Sequence, residues 1–240
     1  MLRKYLLMVI CCFYASYSSA EIITLKTAYG TPFNAYVAGP EDADIGIALA
    51  HDRWGLAQEA KNWADRLGKQ GYRVVVADLY DGRRVRDELM TSEVMGQTAP
   101  EWVIADINGA LDYLKQRQRK VALMGWGYGA KFSYQVAADE NADIDALIAF
   151  YALPQGPQQA LAGIDVPMLG VFGRQDLNLS MEKVDEFQQV MLQLRKILDV
   201  VSINAAAGFV NPQNKTYQVA ASNEAWDATQ QFLKRHLIDE

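Results

Sequence analysis

Short, almost wholly apolar runs recur along this chain, and stretches with helical periodicity separate them. Ile45–Ala50, Arg73–Asp78 with its Val74-Val75-Val76 core, Val121–Met124, Ile144–Tyr151, Pro167–Phe172 and Leu198–Ile203 read as strands, with Arg73–Asp78 and Val121–Met124 buried. Leu56–Gln70, Pro100–Gln118, Ala130–Ala138, Met181–Lys196 and Tyr217–Leu237 read as helices. In Pro100–Gln118, Val103, Ile107, Ala110, Leu111 and Leu114 fall on one face. Strands that are apolar on both sides need cover on both sides. The alternation therefore predicts an α/β class protein, with a mostly parallel central sheet and helices on both faces. Ile22–Thr27 and Phe33–Ala38, around Tyr29-Gly30-Thr31-Pro32, read as an opening pair of strands. Asp81–Ala99 is polar and aperiodic, and is expected to be an irregular excursion over the sheet. With 240 residues, half of them apolar, the chain can build one sizeable core, and one domain is the natural count.

Residues 1–20 read as a secretory signal, which leaves 21–240 as the folded domain. Arg3 and Lys4 supply a positive start, Leu6–Ala15 a short apolar run, and Ser18-Ser19-Ala20 a small-residue end, so cleavage is expected after Ala20. The apolar run is too short to span a bilayer comfortably. Ile10 before Cys11 and Cys12 does not suit a lipidation site. Both cysteines of the chain lie in this segment, so the exported domain has no disulfide and no thiolate. A bacterial periplasm is the compartment that best suits this pattern.

The charge narrows the partners. The formal net charge is −6, and removing Arg3 and Lys4 with the leader leaves −8. With no Lys/Arg cluster in the remainder, nucleic acid and an anionic membrane surface are not expected partners. No His-x-x-x-His, Cys-x-x-Cys or EF-hand spacing occurs, so no metal is expected. No Walker or dinucleotide glycine pattern occurs, so no cofactor is expected either.

One turn carries the functional question. Val121–Met124 runs into Gly125-Trp126-Gly127-Tyr128-Gly129 and then a helical segment, a strand–turn–helix arrangement. A hydrolase elbow of this form presents Ser or Cys at its middle position. Here that position is Gly127, which presents no nucleophile.

Other segments give the turn a context. They are His51-Asp52-Arg53-Trp54-Gly55, Gly71-Tyr72 with Ala77-Asp78-Leu79-Tyr80, Val166-Pro167 with Gly173-Arg174-Gln175-Asp176, and Ala207-Gly208-Phe209-Val210-Asn211-Pro212. In this order they resemble the dienelactone hydrolase family of the α/β-hydrolase superfamily, over nearly all of the exported part. The resemblance implies the α/β-hydrolase fold. It places the acid of a catalytic triad at Asp176, the nucleophile at Gly127 and the histidine base at Ala207. It puts Asp52 where the family carries a glutamate, and the oxyanion amides at Arg53 and Tyr128. Arg83 falls near the family's arginine for a substrate carboxylate. Together with His51, Trp126 and Phe209, these residues form the candidate ligand pocket, although packing is the expected role of His51.

Two triad members are thus replaced by residues that can neither attack nor take a proton. Neither His51 nor His236 lies on the base loop, and His236, near the end of the last helix, is expected to be solvated. Ser133 lies too far along the helix to substitute, and Ser180 and Ser202 have no evident partner. The reading placed first is an exported pseudo-hydrolase that binds a small molecule or a protein partner. An active esterase or lactonase using another nucleophile or an activated water, and an interaction protein with an idle pocket, stay open beside it.

Overall fold

A computed structural model describes residues 20–156 and 158–238. The expected leader lies outside the described residues, except for Ala20. The strands are β1 (Glu21–Lys26), β2 (Pro32–Ala38), β3 (Ile45–Ala50), β4 (Arg73–Ala77), β5 (Lys120–Trp126), β6 (Ala146–Phe150), β7 (Met168–Gly173) and β8 (Leu198–Ile203). The helices are α1 (Gln58–Gly68), α2 (Glu88–Gln97), α3 (Pro100–Lys115), α4 (Gly127–Ala137), α5 (Met181–Gln193) and α6 (Val219–Leu237), with a 3-10 turn at Gln158–Gly163. The strands form one eight-stranded sheet in the order β1-β2-β4-β3-β5-β6-β7-β8. β2 pairs antiparallel with β1 and β4, and every pairing from β4 through β8 is parallel. This is the α/β-hydrolase fold.

The side-chain alternation of the strands sorts the core into two layers. Ile47, Leu49, Val74 and Val76 face Trp63 and Leu67 of α1 and Trp226, Phe232 and Leu233 of α6. Ala48, Ala50, Val75 and Ala77 face the other way, toward Val103 and Ile107 of α3, Ala130 and Tyr134 of α4, and Phe187 and Met191 of α5. Each buried Val, Leu, Ile or Phe contributes about 1.5–3 kcal/mol relative to exposure. The double-sided burial explains why these strands carry no polar alternation.

The polar stretch Asp81–Ala99 departs from expectation, because Glu88–Gln97 is helical. Its start is set by Asp87, whose side chain accepts the Met90 N–H at 2.8 Å. Only Thr91 and Val94 of α2 are buried, so there is no apolar stripe from which periodicity could announce the helix. β5 also runs two residues further than expected, so α4 begins at Gly127 itself.

Candidate active site

The parallel strands deliver their carboxyl ends to one edge of the molecule, where sites of open α/β sheets form. β3 ends at Ala50, which lies opposite Gly125 in the parallel register with β5, so the loop after β3 lies beside the turn after β5. The turn is sharp. Gly127 has φ +45°, in the left-handed region. Two residues on, a Cβ at Gly129 would overlap the carbonyl oxygen of Ala50, so α4 can approach β3 this closely only without a side chain there.

Asp52 reaches into the space above this turn. Its Oδ1 accepts the Arg53 N–H at 2.7 Å and the Tyr128 N–H at 3.3 Å. These are the two amides that the sequence assigns to an oxyanion pocket, and the chain's own carboxylate takes both. A Cβ on residue 127 would overlap the same Oδ1. The carboxylate therefore stands over the elbow where a nucleophile's side chain would be.

Two groups that the sequence does not single out flank this arrangement. Glu59, in the first turn of α1, is buried, and burial followed by the nearby Asp52 charge pushes its carboxyl up to about 8. The Asn211 amide lies against Glu59, short of a well-formed hydrogen bond, and offsets part of the rise. Tyr151 follows β6 with φ +58°, a left-handed conformation that is strained for a tyrosine. Its hydroxyl accepts the Val210 N–H at 3.2 Å and its ring packs on Phe209 at 5.1 Å. Burial raises its proton affinity well above the usual phenol value, and the charges of Glu59, Asp52 and Asp176 add to the rise. Tyr151 thus ties the end of β6 to the loop after β8, which carries Ala207.

The position that the resemblance gives to the triad acid is tied to its own loop. Asp176 is half-buried and its Oδ1 accepts the Asn178 N–H at 2.8 Å, within its own loop. The carbonyl of Ala207 accepts the Thr216 hydroxyl at 2.8 Å, and its side chain offers no polar atom.

Three members of the expected ligand set face the core instead. His51 is fully buried; its Nδ1 bonds the Asp52 carbonyl at 2.8 Å and its Nε2 accepts the Leu79 N–H at 3.0 Å. That pattern assigns one neutral tautomer, and burial lowers the proton affinity of the ring. Trp126 points into the layer under α1, edge-on to Trp63 at 5.4 Å and Phe150 at 6.0 Å. Phe209 is also fully buried and supports Tyr151. The apolar surface of both rings makes them core residues although they neighbour the turn and the loop.

Arg53, Arg83 and Tyr128 lie on the α2 side. Arg53 pairs through Nη2 with Glu88 at the start of α2. Arg83 donates from Nε to the Tyr80 carbonyl at 2.8 Å and from Nη2 to the Thr98 hydroxyl at 2.7 Å, which commits much of its fork to the protein. The Tyr128 ring packs at a tilt on Tyr80 at 5.6 Å and edge-on to Phe132 at 5.0 Å. His236 packs on Phe232 at 4.7 Å near the end of α6, and is half-buried rather than solvated. Ser133 is buried and bonds the Gly129 carbonyl at 2.9 Å. Among the described residues no group of His, Cys, Asp and Glu side chains could hold a metal ion.

Comparison with known proteins agrees with this frame. Residues 33–237 match the dienelactone hydrolase family. A Saccharolobus solfataricus protein provisionally named a carboxymethylenebutenolidase is 22% identical over 249 residues, covering 86% of this chain and 95% of that one. Protein usf of Aquifex pyrophilus is 25% identical over 222 residues, covering 87% and 95%. Among solved structures, a dienelactone hydrolase-like promiscuous phosphotriesterase from metagenomic libraries superposes with a TM-score of 0.76 at 19% identity, covering 90% of this chain and 99% of that one.

Proposed function

From the premise that this chain belongs to the dienelactone hydrolase family, we propose that it is an exported pseudo-hydrolase. It keeps the frame of the active site without triad chemistry, and it binds a small molecule or a protein partner at the carboxyl edge of the sheet. One observation carries the reading: Asp52 Oδ1 accepts both candidate oxyanion amides above Gly127. A carboxylate there repels the negative charge that develops when an ester or lactone is attacked. The absence of a nucleophile at Gly127 and of a base at Ala207 supports the same conclusion.

The test is turnover of activated aryl esters and lactones by the purified protein. A rate near background supports the proposal, and rapid saturable hydrolysis overturns it. Ligand binding is tested separately by thermal shift, because a ligand that binds only the native state must raise stability.

A second reading has one observation behind it. Glu59 is held protonated near neutral pH beside the Asp52 carboxylate, an acid next to a base. Such a pair suits activation of a water. Hydrolysis by the wild type that is abolished by Glu59→Gln would favour it. Export is part of the proposal and rests on Arg3, Lys4, the apolar run and the small residues ending at Ala20.

A further inference from the structure

The amides of Arg53, after β3, and Tyr128, in the first turn of α4, converge on one oxygen, and that oxygen belongs to the chain itself. The Arg53 contact is local. The Tyr128 contact spans 76 positions of sequence, so it exists only because β3 and β5 are neighbours. Two N–H groups aimed at one point, one of them in the first turn of a helix, form a site for an oxygen anion.

We infer that Asp52 is an internal inhibitor of an intact anion pocket. Its carboxylate is the resident ligand, and the class of ligand the backbone would take in its place is a small carboxylate. Gly127 is the complement of this occupant, since any side chain at that position would overlap the same oxygen. A free carboxylate must displace one that is tethered a single residue from the pocket and therefore present at high effective concentration. It would also enter beside the Asp52 charge. The unmodified protein is thus closed to anions at this point, and its natural ligand engages the site through other groups.

This inference rests on reading the site as a hydrolase frame without triad chemistry. Its test reads binding rather than turnover, so the two can fail separately. The measurement is a titration of the ¹⁵N-labelled protein with sodium formate at constant ionic strength, following the Arg53 and Tyr128 amide resonances. In the wild type both should stay in place. In Asp52→Ala both should move saturably, with formate bound at least about tenfold more tightly than by the wild type, a difference of about 1.4 kcal/mol. Asp52→Asn keeps an oxygen that can accept both N–H groups and should behave like the wild type. Wild-type binding as tight as that of Asp52→Ala overturns the inference, as does a folded Asp52→Ala whose amides do not respond. Should Asp52→Ala fail to fold, Asp52→Ser carries the same expectation, and the wild-type titration can still overturn the inference by itself.

Discussion

Asp52 Oδ1 lies so close above Gly127 that the Cβ of any other residue at position 127 would overlap it. In the reading proposed above, the missing nucleophile and the filled amide pair are therefore one structural event. The carboxylate needs the glycine, and the glycine leaves room for the carboxylate.

The first consequence is kinetic. Losing a triad nucleophile or base costs on the order of 10⁶ in turnover, and losing both costs little more because the residues act as a unit. Here the pocket that would supply a residual rate is filled as well. Hydrolysis of an activated aryl ester should fall close to the uncatalysed rate, as a stopped assay with a no-protein control can establish.

The second concerns repair. Gly127→Ser and Ala207→His together recreate a nucleophile and a base, with Asp176 left to orient the imidazole. The double variant should exceed the product of the single effects, but only modestly, because the new serine meets Asp52 and must adopt φ +45°. Adding Asp52→Ala should raise the rate again by freeing both amides. Steady-state rates for the single, double and triple variants, each checked for folding, decide this. A triple variant no faster than the double would show that Asp52 does not limit the site.

The third is a coupling in stability. Gly127→Ala should destabilise the protein through two additive effects, a left-handed φ costing about 1–3 kcal/mol and the overlap with Asp52. Asp52→Ala removes only the second. Denaturant unfolding of the four proteins in the cycle should therefore show a smaller penalty for Gly127→Ala in the Asp52→Ala background, with a coupling of about 0.5–3 kcal/mol. Strict additivity would mean that Asp52 moves aside without cost.

The fourth is a pH dependence. The carboxyl of Glu59 is raised to about 8 in the folded protein from 4.5. A group whose folded value lies above its unfolded value contributes stability that is complete below the unfolded value and is lost as pH rises through the folded one. Stability should decline between pH 4.5 and 8 on this account, with Asp106, raised by burial and by Asp78 and Asp81 to about 7, adding in the same direction. Glu59→Gln should flatten the decline and be relatively more stable at alkaline pH. Thermal melts of wild type and variant across that range would reveal an unchanged slope if Glu59 were not responsible.

The fifth concerns processing. Mass spectrometry of the protein recovered from its native host should find Glu21 at the amino terminus. A mature form that keeps Arg3 and Lys4 would remove the case for export by a cleaved leader.

Much of the frame is legible in the residues alone. Val74-Val75-Val76 and Ile45–Ala50 can be nothing but doubly covered strands, because a run with no polar side has no face to give to water. Gly125, Gly127 and Gly129 mark a sharp turn after a strand because each lacks the atom that would prevent it. Local order of this kind is written in spacing and side-chain size. α2 escapes such a reading, since its helix depends on the Asp87 cap and two buried residues rather than on an apolar stripe.

The contents of the site are another matter. Asp52 and Glu59 follow β3, Gly127 follows β5, Tyr151 follows β6 and Asn211 follows β8, and only the parallel packing of the sheet brings the carboxyl ends of these four strands together. The residues alone put Gly127 and Ala207 where the family resemblance places a nucleophile and a base. Only the fold brings the Asp52 carboxylate over Gly127. The Asp52 carboxylate is held there by the Tyr128 amide, 76 positions away, and no local pattern records a contact of that range. Burial decided as much, by turning His51, Trp126 and Phe209 inward and by raising the proton affinity of Glu59, since the desolvation of a side chain depends on everything packed around it and not on its neighbours in the chain.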